Sequence, residues 1–228
     1  MTIGLIALNV FVFFQTPGFG TDIQGATYFV ENAPIPCQLE DSCPSEVFGI
    51  EIPERNLLSF LASIVYSTFL HAGPIHLLGN LLFLWIFGNN VEDHFGRVRY
   101  LLFYLAGGLA ATFAHIFTHM GDPIPSVGAS GAVAAVMGAY ILLYPHARVN
   151  VLVPIVFIFT VVQMSALTVL GLWLLYQFLI GAQEANQGVT EVAWMAHVGG
   201  FVFGVVVTFI LGGRPHRPRP VWAPEWRY

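Results

Sequence analysis

The chain alternates long apolar runs with short polar breaks. Stretches free of Asp, Glu, Lys and Arg cover residues 56–91, 100–121, 123–147, 149–183 and 192–213. Each exceeds the ~20 residues that a helix uses to cross a ~30 Å hydrocarbon core. Residues 2–15 are also uncharged but short, with no basic leader and no small-residue cleavage site, so they read as a minimal or clipped first span rather than a signal peptide. The run at 56–91 is too long for one span and too short for two, and HAGPIH at 71–76 breaks it. Its first part, LLSFLASIVYSTFL at 57–70, has the length of an interfacial or re-entrant segment. The run at 149–183 is interrupted in the same way by Pro154 and QMSA at 163–166. The pattern predicts six spans, near 2–16, 74–91, 100–120, 127–145, 166–183 and 192–212.

Composition agrees with the pattern, since 56% of residues are hydrophobic, 9% are charged and the mean hydropathy is +0.72. A soluble domain carries about a quarter charged residues, so the solvent of this chain is a lipid bilayer. The net charge is −5 and every basic residue is arginine, which leaves no basic surface for nucleic acid. Arginines gather on the cytoplasmic side of membrane proteins. Six spans put Arg97, Arg99, Arg148, Arg214, Arg217, Arg219 and Arg227 on one face and only Arg55 on the other. This predicts a multi-pass protein of the plasma membrane with a cytoplasmic C-terminus and a large outer loop from about 17 to 72. The Pro- and Arg-rich residues 214–228 form a cytoplasmic tail, and 1–213 form one membrane domain. Cys37 and Cys43 lie in the outer loop, where they either pair or stay as free thiols.

Candidate chemistry rests on polar residues that a membrane helix keeps only at a cost. His76 and Asn80 are four apart and share a helical face. Ser130 sits in GASG among Gly128, Gly131, Ala134, Ala135 and Gly138, small residues that let another backbone approach. His197 shares its helix with the Gly200–Gly204 seam. Each alone also reads as packing or a polar tie between helices. Depth joins them: at 1.5 Å per residue, Ser130 lies about 5 Å below its span start, His197 about 7 Å, and His76 and Asn80 within about 10 Å. All three spans run in the same direction, so the polar groups fall at one level near the outer face. A serine beside a histidine is the minimal acyl-transfer pair, and His76, Asn80 and a helix-start backbone N–H can face the developing oxyanion.

These residues resemble the rhomboid family of intramembrane serine proteases. The resemblance rests on HLLGN (76–80), LWIFGNNVEDHFG (84–96), GASG (128–131), LGLWLLYQ (170–177) and AHVGGFVFG (196–204), in that order and spacing. It implies an all-α, six-helix membrane bundle with a large, partly membrane-embedded first loop. Ser130 would be the nucleophile and His197 the general base of a dyad without a carboxylate. His76 and Asn80 would stabilise the oxyanion, and Gly128, Gly131, Gly200 and Gly204 would pack the helices around them. Glu92 matches an acidic position that anchors helix ends, and residues 184–191 with the fifth span resemble a substrate gate. The implied partners are the bilayer and transmembrane protein substrates, and neither a cofactor nor a metal is implied. Two positions depart from the family pattern: Ala134 stands where an aromatic often packs on the histidine, and Arg55 follows Glu54 rather than Trp.

Two other functions fit a polytopic chain: a catalytically silent relative that binds membrane proteins, and a transporter. The first typically lacks the serine or the histidine, and both are present. The second lacks support from matched inverted halves. A zinc protease would need H-E-x-x-H, which does not occur. His115 and His119, four apart near the outer end of the third span, have a spacing that could bind a metal, but they read first as interfacial side chains.

Overall fold

The computed structural model describes residues 1–40, 42–155, 158–187 and 193–213. The expected tail at 214–228 and residues 188–191 of the expected gate loop lie outside the described residues. The chain is mainly helical: α1 (Thr2–Gln15), α2 (Ile23–Asn32), α3 (Leu57–Ser67), α4 (Pro74–Phe95), α5 (Arg97–Thr118), α6 (Ser130–Leu143), α7 (Ala166–Gln187) and α8 (Trp194–Ile210). Among the described residues, two stretches are long and apolar enough to cross a membrane by length and composition, Arg97–Thr118 and Ala166–Gln183.

The all-α expectation needs a correction. A small hairpin joins β1 (Glu46–Val47) to β2 (Ile50–Glu51), and a longer one joins β3 (Arg148–Ile155) to β4 (Ile158–Ser165). In the longer hairpin the register runs from Arg148 opposite Ser165 to Ile155 opposite Ile158. The residues concerned, VNVLVPI and IFTVVQM, are rich in β-branched side chains. Those favour the extended backbone, and a continuous apolar run does not by itself distinguish strand from helix.

Helix α6 is the centre of the molecule, with every residue from Gly131 to Tyr140 buried. It packs on α8, α5 and α4. A helix buried on all sides has no polar face, and VAAVMGA supplies none. The contact with α8 is backbone to backbone. A Cβ on Gly200 would collide with the Gly131 carbonyl oxygen, one on Gly204 with that of Ala135, and one on Gly138 with that of Phe201. The outside of the molecule is also apolar: Phe11, Leu78, Trp85, Leu102, Leu172, Leu179, Val202 and Phe209 are exposed. Exposed apolar surface of this kind is covered by a membrane or by another protein.

Helices α1 and α4 are tied at one end by Glu92. Its carboxylate accepts hydrogen bonds from the nitrogens of Met1 and Thr2, at 2.6 and 2.7 Å. The α1 N-terminus offers free N–H groups and the positive end of a dipole. Burial pushes the Glu92 carboxyl up, but these hydrogen bonds outweigh it and hold the group below its ordinary value. A lowered carboxyl pKa contributes stability above the unfolded value and loses it as pH falls through the folded one. Glu92→Gln is therefore expected to lower the thermal unfolding temperature at pH 7. The gap to the parent should close as pH falls below about 4, and an equal gap at pH 7 and pH 3 would count against the tie.

The outer region between α1 and α3 is closed by two devices. Cys37 and Cys43 form a disulfide. Arg55 donates to the carbonyl oxygens of Val30, Glu31 and Ala33 and to Gln38 Oε1, at 2.6–3.1 Å. A planar guanidinium suits several acceptors around the end of α2. The departure from a Trp-Arg pair thus leaves the arginine in use as a clamp.

Candidate active site

Ser130 is the first residue of α6. The helix begins three residues after the expected span start near 127, and residues 119–129 are not α-helical. Pro123 and Pro125 disfavour helix before them, and Gly128 has φ +135°, outside the reach of ordinary L-residues. The first helical bond runs from Val133 N to Ala129 O. The backbone N–H groups of Ser130, Gly131 and Ala132 thus have no acceptor within the helix. The loop before them is held by Ser126 N on Pro34 O at 2.9 Å and by Gly128 N on Ser67 O at 3.0 Å. The serine is placed by this pinned loop rather than by descent along a helix.

Gly128 is required by space as well as by conformation. A Cβ there would lie 2.9 Å from His76 Cε1, 3.0 Å from its Nε2 and 3.4 Å from Ser130 Oγ. The His76 ring and the serine hydroxyl therefore flank one point. His76 is in the first turn of α4, and its Nδ1 lies 3.4 Å from the Ala72 backbone N–H. His197 is in the first turn of α8. The seating of Gly200 on the Gly131 carbonyl sets the start of α8 beside the start of α6.

Ser130, His197 and His76 line one cavity of about 310 Å³, with His115, Asp122 and Ser126 among the other residues of its wall. Asn80 is not in that wall. It is buried, and its Nδ2 donates to the His76 carbonyl oxygen at 3.0 Å, within α4. Gly131 and Gly128 border a narrower space beneath the serine, while Gly200 and Gly204 form the α6–α8 contact.

Two neighbours were not singled out from sequence, and a third was read differently. Gln177 of α7 is buried, and its Oε1 lies 2.7 Å from His197 Nδ1. Trp173 stands one turn earlier on the same helix, its ring centroid 5.8 Å from that of His197. It supplies the aromatic contact that Ala134 does not. Both belong to the LGLWLLYQ run, where an amide inside an apolar helix was the available signal. His115 is 4% exposed and lines the cavity, which corrects its reading as an interfacial side chain. Behind the site, burial pushes the His71 imidazole down to about 3, so it adds no charge beside His76 at neutral pH.

Among known proteins, the sequence model of the Rhomboid domain matches residues 59–214. Presenilin-associated rhomboid-like protein A, mitochondrial, of Danio rerio is 32% identical over 62% of this chain and 35% of its own length. Its Bos taurus counterpart, Presenilin-associated rhomboid-like protein, mitochondrial, is 26% identical over 89% of the chain and 46% of its own length. Rhomboid protease GluP of Bacillus subtilis (strain 168) is 45% identical over 33% of the chain and 14% of its own length. The chain thus spans less than half the length of these relatives. The expected plasma-membrane location does not stand, because relatives matching most of the chain are mitochondrial proteins. Arginine asymmetry orients a chain across a membrane and does not say which membrane. With the Rhomboid domain covering more than half of its residues, the chain belongs to the rhomboid family.

Proposed function

We propose that this chain is an intramembrane serine endopeptidase that cuts transmembrane segments of other membrane proteins with a Ser130–His197 dyad. The observation that carries the reading is the convergence of Ser130, His197 and His76, from three helices, on one cavity. Six helices, α1 and α4 to α8, cross the bilayer, with α3 and the rest of the first loop partly embedded. The names of the relatives support a mitochondrial membrane as its location.

The reaction follows from the placement. His197 takes the Ser130 hydroxyl proton as Oγ attacks the scissile carbonyl and gives it to the leaving amine as the C–N bond breaks. It then takes a proton from a water that attacks the Ser130 ester and returns it to Oγ as the acid product leaves. The oxyanion meets the His76 ring and the N–H groups at the start of α6 that have no acceptor within the helix, where the helix dipole favours negative charge. Asn80 lies outside the cavity wall with its amide on the His76 carbonyl, so its share in oxyanion stabilisation is tested by Asn80→Ala: slower cleavage is expected, and an unchanged rate would remove it from the set. A substrate helix hides its carbonyls in hydrogen bonds, so it must unwind locally, which favours helix-weakening residues and a small side chain before the cut. No cofactor takes part.

The test is the purified chain reconstituted in vesicles with a single-pass membrane protein. The expected result is two fragments, with the cut in or near the apolar segment. Capture of an intact substrate would favour a silent binder, and solute uptake with the substrate uncut would favour a transporter.

A further inference from the structure

Gln177 is an amide in the middle of an apolar helix, and it is 4% exposed. Such a group is costly at membrane depth unless it is hydrogen-bonded. Its partner is His197 Nδ1, 2.7 Å from Oε1 across the α7–α8 interface. A carbonyl oxygen only accepts, so the proton sits on Nδ1 and Nε2 keeps its lone pair. This is the tautomer a general base needs. The other tautomer would aim an N–H at the serine and could not take its proton.

We infer that Gln177 is the positioning residue of the dyad: it selects the Nδ1–H tautomer of His197 and, with Trp173 against the ring, fixes the direction in which Nε2 points. The inference rests on the Ser130–His197 reading. During attack the Ser130 proton moves to Nε2, giving an imidazolium whose Nδ1–H still donates to Gln177. The proton then leaves with the amine, and the ring returns to its starting tautomer. A neutral amide orients the ring through this cycle without adding the field of a carboxylate. His76 of α4, His115 of α5 and Asp122 of the loop before α6 line the same cavity as His197. They stay in place when residue 177 is changed, so a difference among position-177 variants reports on this contact.

The test compares cleavage by the full-length parent, Gln177→Leu and Gln177→Glu, each checked by thermal unfolding. Gln177→Leu should lower kcat about tenfold or more, with KM little changed because the substrate is not touched. Gln177→Glu should restore much of the rate and move the acid limb of the rate–pH profile up by about one unit or more, since a carboxylate in contact favours the imidazolium. Parental rates in Gln177→Leu would overturn the inference, as would equal losses in both variants with the limb unmoved. Should either variant not fold, ¹⁵N-histidine NMR of the parent reads the tautomer directly. An Nδ1–H signal for His197 at neutral pH is expected, and an Nε2–H signal would overturn the assignment. Parental behaviour of the Gln177 variants alongside loss in Ser130→Ala would refute the positioning role alone, whereas cleavage surviving in Ser130→Ala would refute the dyad.

Discussion

Ser130→Ala should reduce cleavage of a single-pass substrate to background, a loss of about a thousandfold or more. The proposed reaction passes through an ester at Ser130 Oγ; among the described residues of the cavity wall the other hydroxyl, Ser126, belongs to the loop before α6 rather than to the helix start. His197→Ala should lose as much, and the double variant little more, because nucleophile and base act as one unit. Neither change should unfold the protein. Ser130 heads its helix beside an open cavity, and the α6–α8 contact below it is made by glycines rather than by these side chains. Unchanged thermal unfolding with lost cleavage is the expected pairing. Cleavage above background in either single variant would remove that residue from the mechanism.

The second large effect lies at that contact. Gly204→Val puts a side chain where the Ala135 backbone already is, and Gly200→Val does the same at Gly131. Backbone cannot rotate away as a side chain can, so the helices must part. Overpacking of a core costs about 1–3 kcal/mol, and a shift of about 1 Å between reacting groups costs about a hundredfold in rate. Both variants should therefore lose thermal stability and most of the cleavage. Gly79→Ala and Gly171→Ala are the matched controls, since a Cβ at either position meets nothing within 4 Å. Alanine there should preserve both properties, or raise stability by stiffening the unfolded chain. Equal behaviour of Gly204→Val and Gly171→Ala would show that the α6–α8 contact does not hold the site together.

Much of the family assignment was legible because it rests on local signals. HLLGN, GASG and AHVGGFVFG each carry a polar residue that an apolar helix keeps at a cost, next to small residues that allow close approach. The structure brings three of the four polar residues to one cavity and leaves Asn80 bonded within its own helix. What stayed hidden depends on pairing across the chain. Gln177 and His197 are separated by a loop, and no spacing rule links them. His115 looks interfacial from its place near a helix end, yet the fold buries it. The apolar run after α6 gave no periodicity to separate strand from helix, and its β-branched residues formed a hairpin. The start of α6 moved because Gly128 and the prolines before it set a loop conformation that hydropathy does not register.

Gly128 also connects what was legible to what was not. Its lack of a side chain lets the His76 ring and the Ser130 hydroxyl face the same space. From the sequence it was one small residue among several in a packed helix. In the structure it lies in the loop ahead of that helix and shapes the wall around the serine.

The central claim is that Ser130 is a nucleophile activated by His197. It is tested most directly by treating the reconstituted protein with a fluorophosphonate and locating the adduct by mass spectrometry. A single adduct on Ser130 is expected, with labelling lost in His197→Ala. An adduct on another serine, or labelling of Ser130 undiminished in His197→Ala, would contradict it.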